Sequence, residues 1–217
     1  MMMNRKSVWG ALALLVLLTG CATSRSVVSI PAGEIKPAQV ANGKTVYFAS
    51  LTDARVFEAK PKEPNIPSLD PSESQSAEIQ ARAIARKRNG YGKALGDILL
   101  PADETAPALV RKSLEKAFVE QGYTVITDPT QVKPDTFVVD VAVTKMWAWM
   151  NPGFMALTLS AEVATDLKIK QAEQARSESL AVKESAQFQT GMESNWVEVV
   201  QKALAAFTEQ AKQKLAQ

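Results

Sequence analysis

The chain contains no histidine. That absence removes the Ser-His-Asp and Cys-His arrangements of nucleophilic catalysis, and with them the commonest protein ligand of zinc, copper and iron. Cysteine is almost as scarce: Cys21 is the only one. A body folded from the rest of the chain therefore has no thiol chemistry and no internal disulfide. There is no GxGxxG turn, Walker loop, CxxC pair or EF-hand loop. Asp53, Asp97, Asp103 and Asp140 show no pairing along the chain that would mark a general acid and base, and Asp140 falls on the polar face of its strand. We expect no catalytic residue, no metal ligand and no cofactor site, and hence no enzyme.

An excess of charge of one sign is also missing. Lys and Arg number 25 against 23 Asp and Glu, and two of the cations, Arg5 and Lys6, lie in the first twenty residues, which hold no acid. The remainder is balanced, which argues against nucleic acid as a partner and against attraction to an anionic surface by net charge.

Long apolar runs are absent too, apart from Val8–Leu18. That run is shorter than the roughly 20 residues a membrane-spanning helix needs. Behind Arg5 and Lys6 it has the form of a signal-peptide apolar region. It ends in Leu18-Thr19-Gly20-Cys21, which resembles the bacterial lipobox. The resemblance implies cleavage before Cys21, diacylglycerol on its sulfur and a further acyl chain on the new amino terminus. Cysteine suits this chemistry because a thiolate is a strong nucleophile. Each buried CH2 adds about 0.8 kcal/mol, and two or more chains anchor stably. Ala22 stands where an Asp commonly retains such proteins in the inner membrane. By that sorting rule the protein belongs to the outer membrane, on its periplasmic face.

Three segments follow: a signal peptide over 1–20, the lipidated cysteine with a flexible tether over 21–43, and a periplasmic domain over 44–217. The tether is small, polar and proline-containing, with Val27–Ile30 as an optional edge strand. Lys44–Leu51 alternates like a strand. Pro61, Pro64, Pro67 and Pro71 exclude a helix or central strand and predict a long surface loop, either a docking segment or a mobile spacer. Ser76–Lys87 is rich in helix formers and predicts a helix that stops at Asn89-Gly90. Ile98–Leu100 predicts a short buried strand. A second helix opens at Asp103–Thr105 and runs to Gln121, followed by a strand over Tyr123–Ile126. From Phe137 the odd positions Phe137, Val139, Val141, Val143, Trp147 and Trp149 are apolar, with Lys145 the exception. After Asn151-Pro152-Gly153 the odd positions from Leu157 to Ile169 are apolar again, which predicts a long half-buried hairpin. A strand over Ser179–Gln189 and a helix from Ser194 close the chain. Strands in runs with flanking helices predict an α+β fold, a mostly antiparallel sheet with helices packed on one face as a two-layer sandwich.

The anchor LTGCAT, the strand TVYFASLTDAR, the helix LVRKSLEKAFVEQGYTV, the hairpin VDVAVTKMW…LTLSAEVATDLKI and the closing helix together resemble the YajG-like family of small bacterial lipoproteins. The stretch ARAIARKRNGYGKALGDILLP resembles a longer subgroup, some members of which carry a flagellar-biosynthesis label. The resemblance implies a lipid-anchored envelope protein and brings no catalytic residues. It leaves open an accessory role in envelope assembly through an unidentified protein partner, a flagellar accessory role, and binding of lipid, lipopolysaccharide or peptidoglycan.

Two surfaces are candidates for contact. Met146, Trp147, Trp149, Met150, Phe154 and Met155 flank the hairpin turn and form either a partner-binding or membrane-interface patch or the end of the core. Arg82, Arg86, Lys87, Arg88 and Lys93 lie around Asn89-Gly90-Tyr91-Gly92. They form either a site for phosphate, lipid head groups or an acidic partner, or a solvated helix face.

Overall fold

The structure, a computed structural model, describes residues 24–215. The signal segment and Cys21 lie outside the described residues. Eight strands form a single sheet. They are β1 (Ser26–Val27), β2 (Thr45–Asp53), β3 (Ala83–Arg88), β4 (Ala94–Leu99), β5 (Thr124–Ile126), β6 (Phe137–Pro152), β7 (Leu157–Gln171) and β8 (Gln174–Phe188). The helices are α1 (Ala77–Arg82), α2 (Ala106–Glu120) and α3 (Glu193–Leu215). The expected α+β class holds.

Strand β6 is the spine. On one side it pairs antiparallel with β7 along its whole length, and β7 does the same with β8. This is the meander that the alternating pattern predicts. The other side of β6 is shared. Its first half, Phe137–Val143, pairs parallel with β2, which pairs parallel with β5. Its second half meets β3 in parallel at Ala148, and β4 and β1 extend the sheet beyond β3. The parallel half leaves no local signature in the sequence.

Helices α2 and α3 cover one face. Thr105 caps α2 by accepting a hydrogen bond from the Ala108 amide, and Pro107 sits where its missing N–H costs nothing. The α2 residues Leu109, Val110, Leu114, Ala117 and Phe118, and Trp196, Val200, Ala203 and Phe207 of α3, bury against Val139, Val141, Val143, Val163 and Leu167 of the sheet. Phe48, Phe118, Tyr123 and Phe137 meet edge to face in a chain, with ring centroids 5.1–5.9 Å apart. Burial raises the Tyr123 phenol above its ordinary pKa.

Three departures from the sequence reading shape the rest. First, residues 24–43 are not a flexible tether. β1 pairs with β4, Val28 and Ile30 enter the core, and Ala38 and Asn42 donate backbone hydrogen bonds to Val119 and Gly122 at the end of α2. Close approach is bought with glycine at two points. A Cβ on Gly96 (φ +148°) would lie 2.6 Å from the Ser24 carbonyl, and one on Gly122 (φ +85°) 2.8 Å from the Val40 oxygen. Second, the helix expected over 76–87 ends at Arg82, and Ala83–Arg88 is a strand. Third, the proline loop packs back on the body: Pro61, Pro67, Ser68 and Leu69 are buried on the sheet face opposite α2 and α3.

Candidate functional site

The hairpin tip depends on one extra residue in β6. Val143 pairs with Thr165 and Lys145 with Ala164, so Thr144 forms a bulge. A one-residue slip turns every later side chain to the other face. Before the bulge the odd positions face the helices. After it Met146 and Ala148 do, while Trp147 and Trp149 face the opposite side. There they form a second, smaller core with Leu69, Ala83 and Leu99, closed by Phe57 and Ile79. The Trp147 indole donates to the Pro64 carbonyl at 3.2 Å and meets the Phe57 ring edge-on at 5.9 Å. The Lys183 ammonium sits 5.1 Å from the Trp149 ring. Of the two expected readings, a contact patch or the end of the core, the packing fits the core for most of these residues, but with Trp147 and Trp149 on the face opposite to the one the alternation predicts. Met146, Trp147 and Trp149 are buried, Met150 is half-buried against the main core, and only Phe154 and Met155 project into solvent.

The five basic residues do not share one face: Arg82 ends α1, Arg86, Lys87 and Arg88 alternate along β3, and Lys93 lies in the β3–β4 turn. Arg82 donates to the Leu100 carbonyl at 2.9 Å and pairs with Glu78. Arg86 lies between Asp97 at 3.6 Å and Asp70 at 4.0 Å. Lys87 is buried, donating to the Ser24 carbonyl and the Ser26 hydroxyl at 2.9 and 2.7 Å. Arg88 donates to the Pro61 carbonyl and the Ser68 hydroxyl. Lys93 alone of the five stands in solvent. The cations hold the loop and the amino-terminal segment onto the sheet instead of converging on a phosphate.

Asp97 anchors this layer. Its carboxyl is almost fully buried, between Arg86 and Arg25, and its Oδ1 has no hydrogen bond. Burial pushes its pKa up, against the pull of Arg86 and Arg25. Arg25 also binds Glu73 through both guanidinium nitrogens, which raises the Arg25 pKa and holds the Glu73 carboxyl below its usual range. Burial lowers the Arg88 guanidinium, with Arg86 adding to the effect.

Arg55 is the group that sequence reasoning missed. Its side chain is wholly buried. It forks onto Asp53 at 2.8 and 2.7 Å, donates to the Ala83 and Met146 carbonyls at 2.7 and 3.2 Å, and donates to the Gln80 carbonyl at 2.6 Å. It thus caps the carboxyl end of α1 and ties it to β2, β3 and β6, which explains why α1 stops after six residues. The only signal was an Arg two residues past an Asp at a strand end, and that pattern is common in turns.

Two further features complete the surface. A groove of about 560 Å3 runs over the outer side of α2 and α3 beneath residues 30–35, with Ile30, Ile35, Leu109 and Leu204 in its wall and Lys112, Lys116 and Lys202 around it. The space between sheet and helices is filled by Phe118, Trp196 and Phe207. At one end of the sheet the strand directions bring together the β3–β4 turn, the β6–β7 tip and the segment after β8. These carry the exposed side chains of Tyr91, Phe154, Met155 and Met192. Among the described residues no three acidic side chains converge as a metal cage requires, and no helix is long and apolar enough to cross a membrane.

No family model matches the chain, and no curated protein matches it. Solved structures share a loose likeness. A Xanthomonas campestris protein of the DUF330 family is 14% identical, with 89% of this chain and 94% of that one covered and a TM-score of 0.48. A minor lipoprotein from Acinetobacter baumannii is 13% identical, with 49% and 84% covered and a TM-score of 0.34. Likeness at this level assigns the chain no activity, ligand or partner.

Proposed function

We propose that this chain is a lipid-anchored protein of the bacterial envelope that works by contact with another envelope protein and not by catalysis. The observation that carries this reading is Leu18-Thr19-Gly20-Cys21, placed directly after a short uncharged apolar run that itself follows Arg5 and Lys6. Ala22 supports sorting to the periplasmic face of the outer membrane. The lack of histidine supports a non-catalytic role, and so does the commitment of the interior Asp and Arg side chains to structural bonds. A flagellar accessory role is the narrower version and rests on the resemblance of the Ala81–Pro101 stretch alone. A ligand cavity between sheet and helices would favour lipid or lipopolysaccharide as the target, but aromatic side chains fill that space.

Substituting Cys21→Ser in cells supplied with radioactive fatty acid tests the anchor. The native chain takes up label and is shortened at its amino terminus; the variant does neither and stays as a precursor. Equal label in both removes the lipoprotein reading. Ala22→Asp moves the mature protein to the inner-membrane fraction of a density gradient, and an unchanged distribution removes the outer-membrane assignment.

A further inference from the structure

The amino-terminal segment is docked, and this has a geometric consequence for a chain anchored at Cys21. Ser24 is already held: its carbonyl accepts from Lys87, and its backbone packs on Gly96. Only three Cα–Cα steps separate it from Cys21, so the two Cα atoms are at most roughly 11 Å apart. At that distance a lipid on Cys21 keeps the folded body close to the bilayer.

The strand directions fix which end faces the membrane. β1 runs parallel to β4, so the chain preceding Ser26 heads toward the start of β4 and the β3–β4 turn. β3 is parallel to β6, so the carboxyl end of β6 and the β6–β7 tip lie at that same end. The close of β8 lies there too, since Phe188 pairs with Leu157. Across β1, β4, β3, β6, β7 and β8 this rim spans about 24 Å at the ordinary strand spacing.

The composition of the rim is distinctive. Asn89–Lys93, Asn151–Ala156 and Gln189–Met192 contain no acid and a single cation, Lys93. The Tyr91 and Phe154 side chains are 98% and 102% exposed, and Met155 and Met192 are also in solvent. In water such side chains gain nothing. In the interfacial layer of a bilayer, aromatic rings and Met find apolar contact while Tyr keeps its hydroxyl at head-group level.

We propose that this rim is a second, non-covalent membrane contact: Tyr91, Phe154 and Met155 dip into the interfacial layer of the membrane that holds the Cys21 lipid, fixing the body upright on the bilayer. The contact rests on the lipid-anchor reading. It places the helical face to the side of the body, away from the lipid.

The test uses the full acylated chain in phospholipid vesicles. Acylation removes the only thiol, so Phe154→Cys or Tyr91→Cys takes a polarity-sensitive fluorophore at one place. Glu173→Cys, in the exposed β7–β8 turn at the opposite end, is the control. The expected result is blue-shifted emission at 154 and 91, quenched by lipids carrying a spin label near the head group, with neither effect at 173. Mass spectrometry of the purified chain separates the two possible failures. If the chain is not acylated, the anchor reading and this contact fall together. If it is acylated and floats with the vesicles, yet 154 and 91 are as wet as 173, the contact alone is overturned. Shielding that occurs in cells but not in protein-free vesicles would likewise overturn it and assign the rim to a protein.

Discussion

Replacing Arg55 by Met tests whether the buried guanidinium organises the junction of α1 with the sheet. The substitution keeps much of the apolar stem and deletes every donor. Removing one partner of a buried ion pair costs about 3–5 kcal/mol. Asp53 retains 27% of its side-chain exposure and rehydrates in part, which places its share at the low end. The Ala83 and Met146 carbonyls lose this donor as well, at about 1–3 kcal/mol for each acceptor left dry, while the Gln80 carbonyl keeps the Ala83 amide. Water reaches some of them once the helix end loosens, so we expect a total near 4 kcal/mol. Urea melts of the purified chain measure it, with an unchanged slope indicating that only stability has moved. Amide exchange over Ala77–Arg82 should accelerate more than over β7. Arg55→Lys should recover less than half of the loss, because an ammonium is a point charge and cannot fork onto a carboxylate while reaching three carbonyls. A loss below about 1 kcal/mol for Arg55→Met would refute the reasoning.

Trp147→Ala should cost about 3–5 kcal/mol, as truncation of a fully buried aromatic does, and should release the proline loop. Trypsin then cuts after Lys62 under conditions where the native chain resists, and an unaltered digestion pattern would mean the loop is held without the indole. The pKa of Asp97 gives a pH signature. Its folded-state value lies above the unfolded value of 3.8, so the folded chain binds the proton more tightly. Its ionisation therefore counts against folding as the pH rises past that unfolded value, and the penalty is complete above the folded-state value. Asp97→Asn removes this dependence, so its stability relative to the native chain should improve between pH 4 and pH 7 in denaturant melts. A constant difference across that range would show that Arg86 and Arg25 fully offset the burial.

The elements that were legible before the structure share one property: their local pattern and their surroundings agree. β7 and the part of β6 before Thr144 alternate because one face is buried and the other is not, and α2 carries its cap residue, its proline and its stripe within one short stretch. Ala83–Arg88 was not legible. It continues a run of good helix formers, and tertiary contacts from Arg55 and β4 override that propensity. The fate of Trp147 and Trp149 turned on a bulge at Thr144, which no residue type announces. The basic residues looked like one patch because they cluster in sequence at an expected helix end beside a Gly-rich turn, whereas the strand over Ala83–Arg88 turns Lys87 away from Arg86 and Arg88. Phe154 and Met155 were visible as candidates beside their turn. Tyr91 and Met192 were not, since their nearness to that turn comes from pairings between strands far apart in sequence.

The divided edge of β6 also has a kinetic meaning. The pairings of β6 with β7 and of β7 with β8 close short loops, whereas β2 must wait for a strand that begins more than eighty residues later. Non-local parallel pairings of this kind form slowly. A chain emerging amino terminus first thus makes its early strands long before it makes their template. Until Phe137 and the residues after it appear, β2 has only the three-residue β5 to join, and β3 has only β4. The order of synthesis thus delays completion of the sheet until the carboxyl-terminal third of the chain has been made.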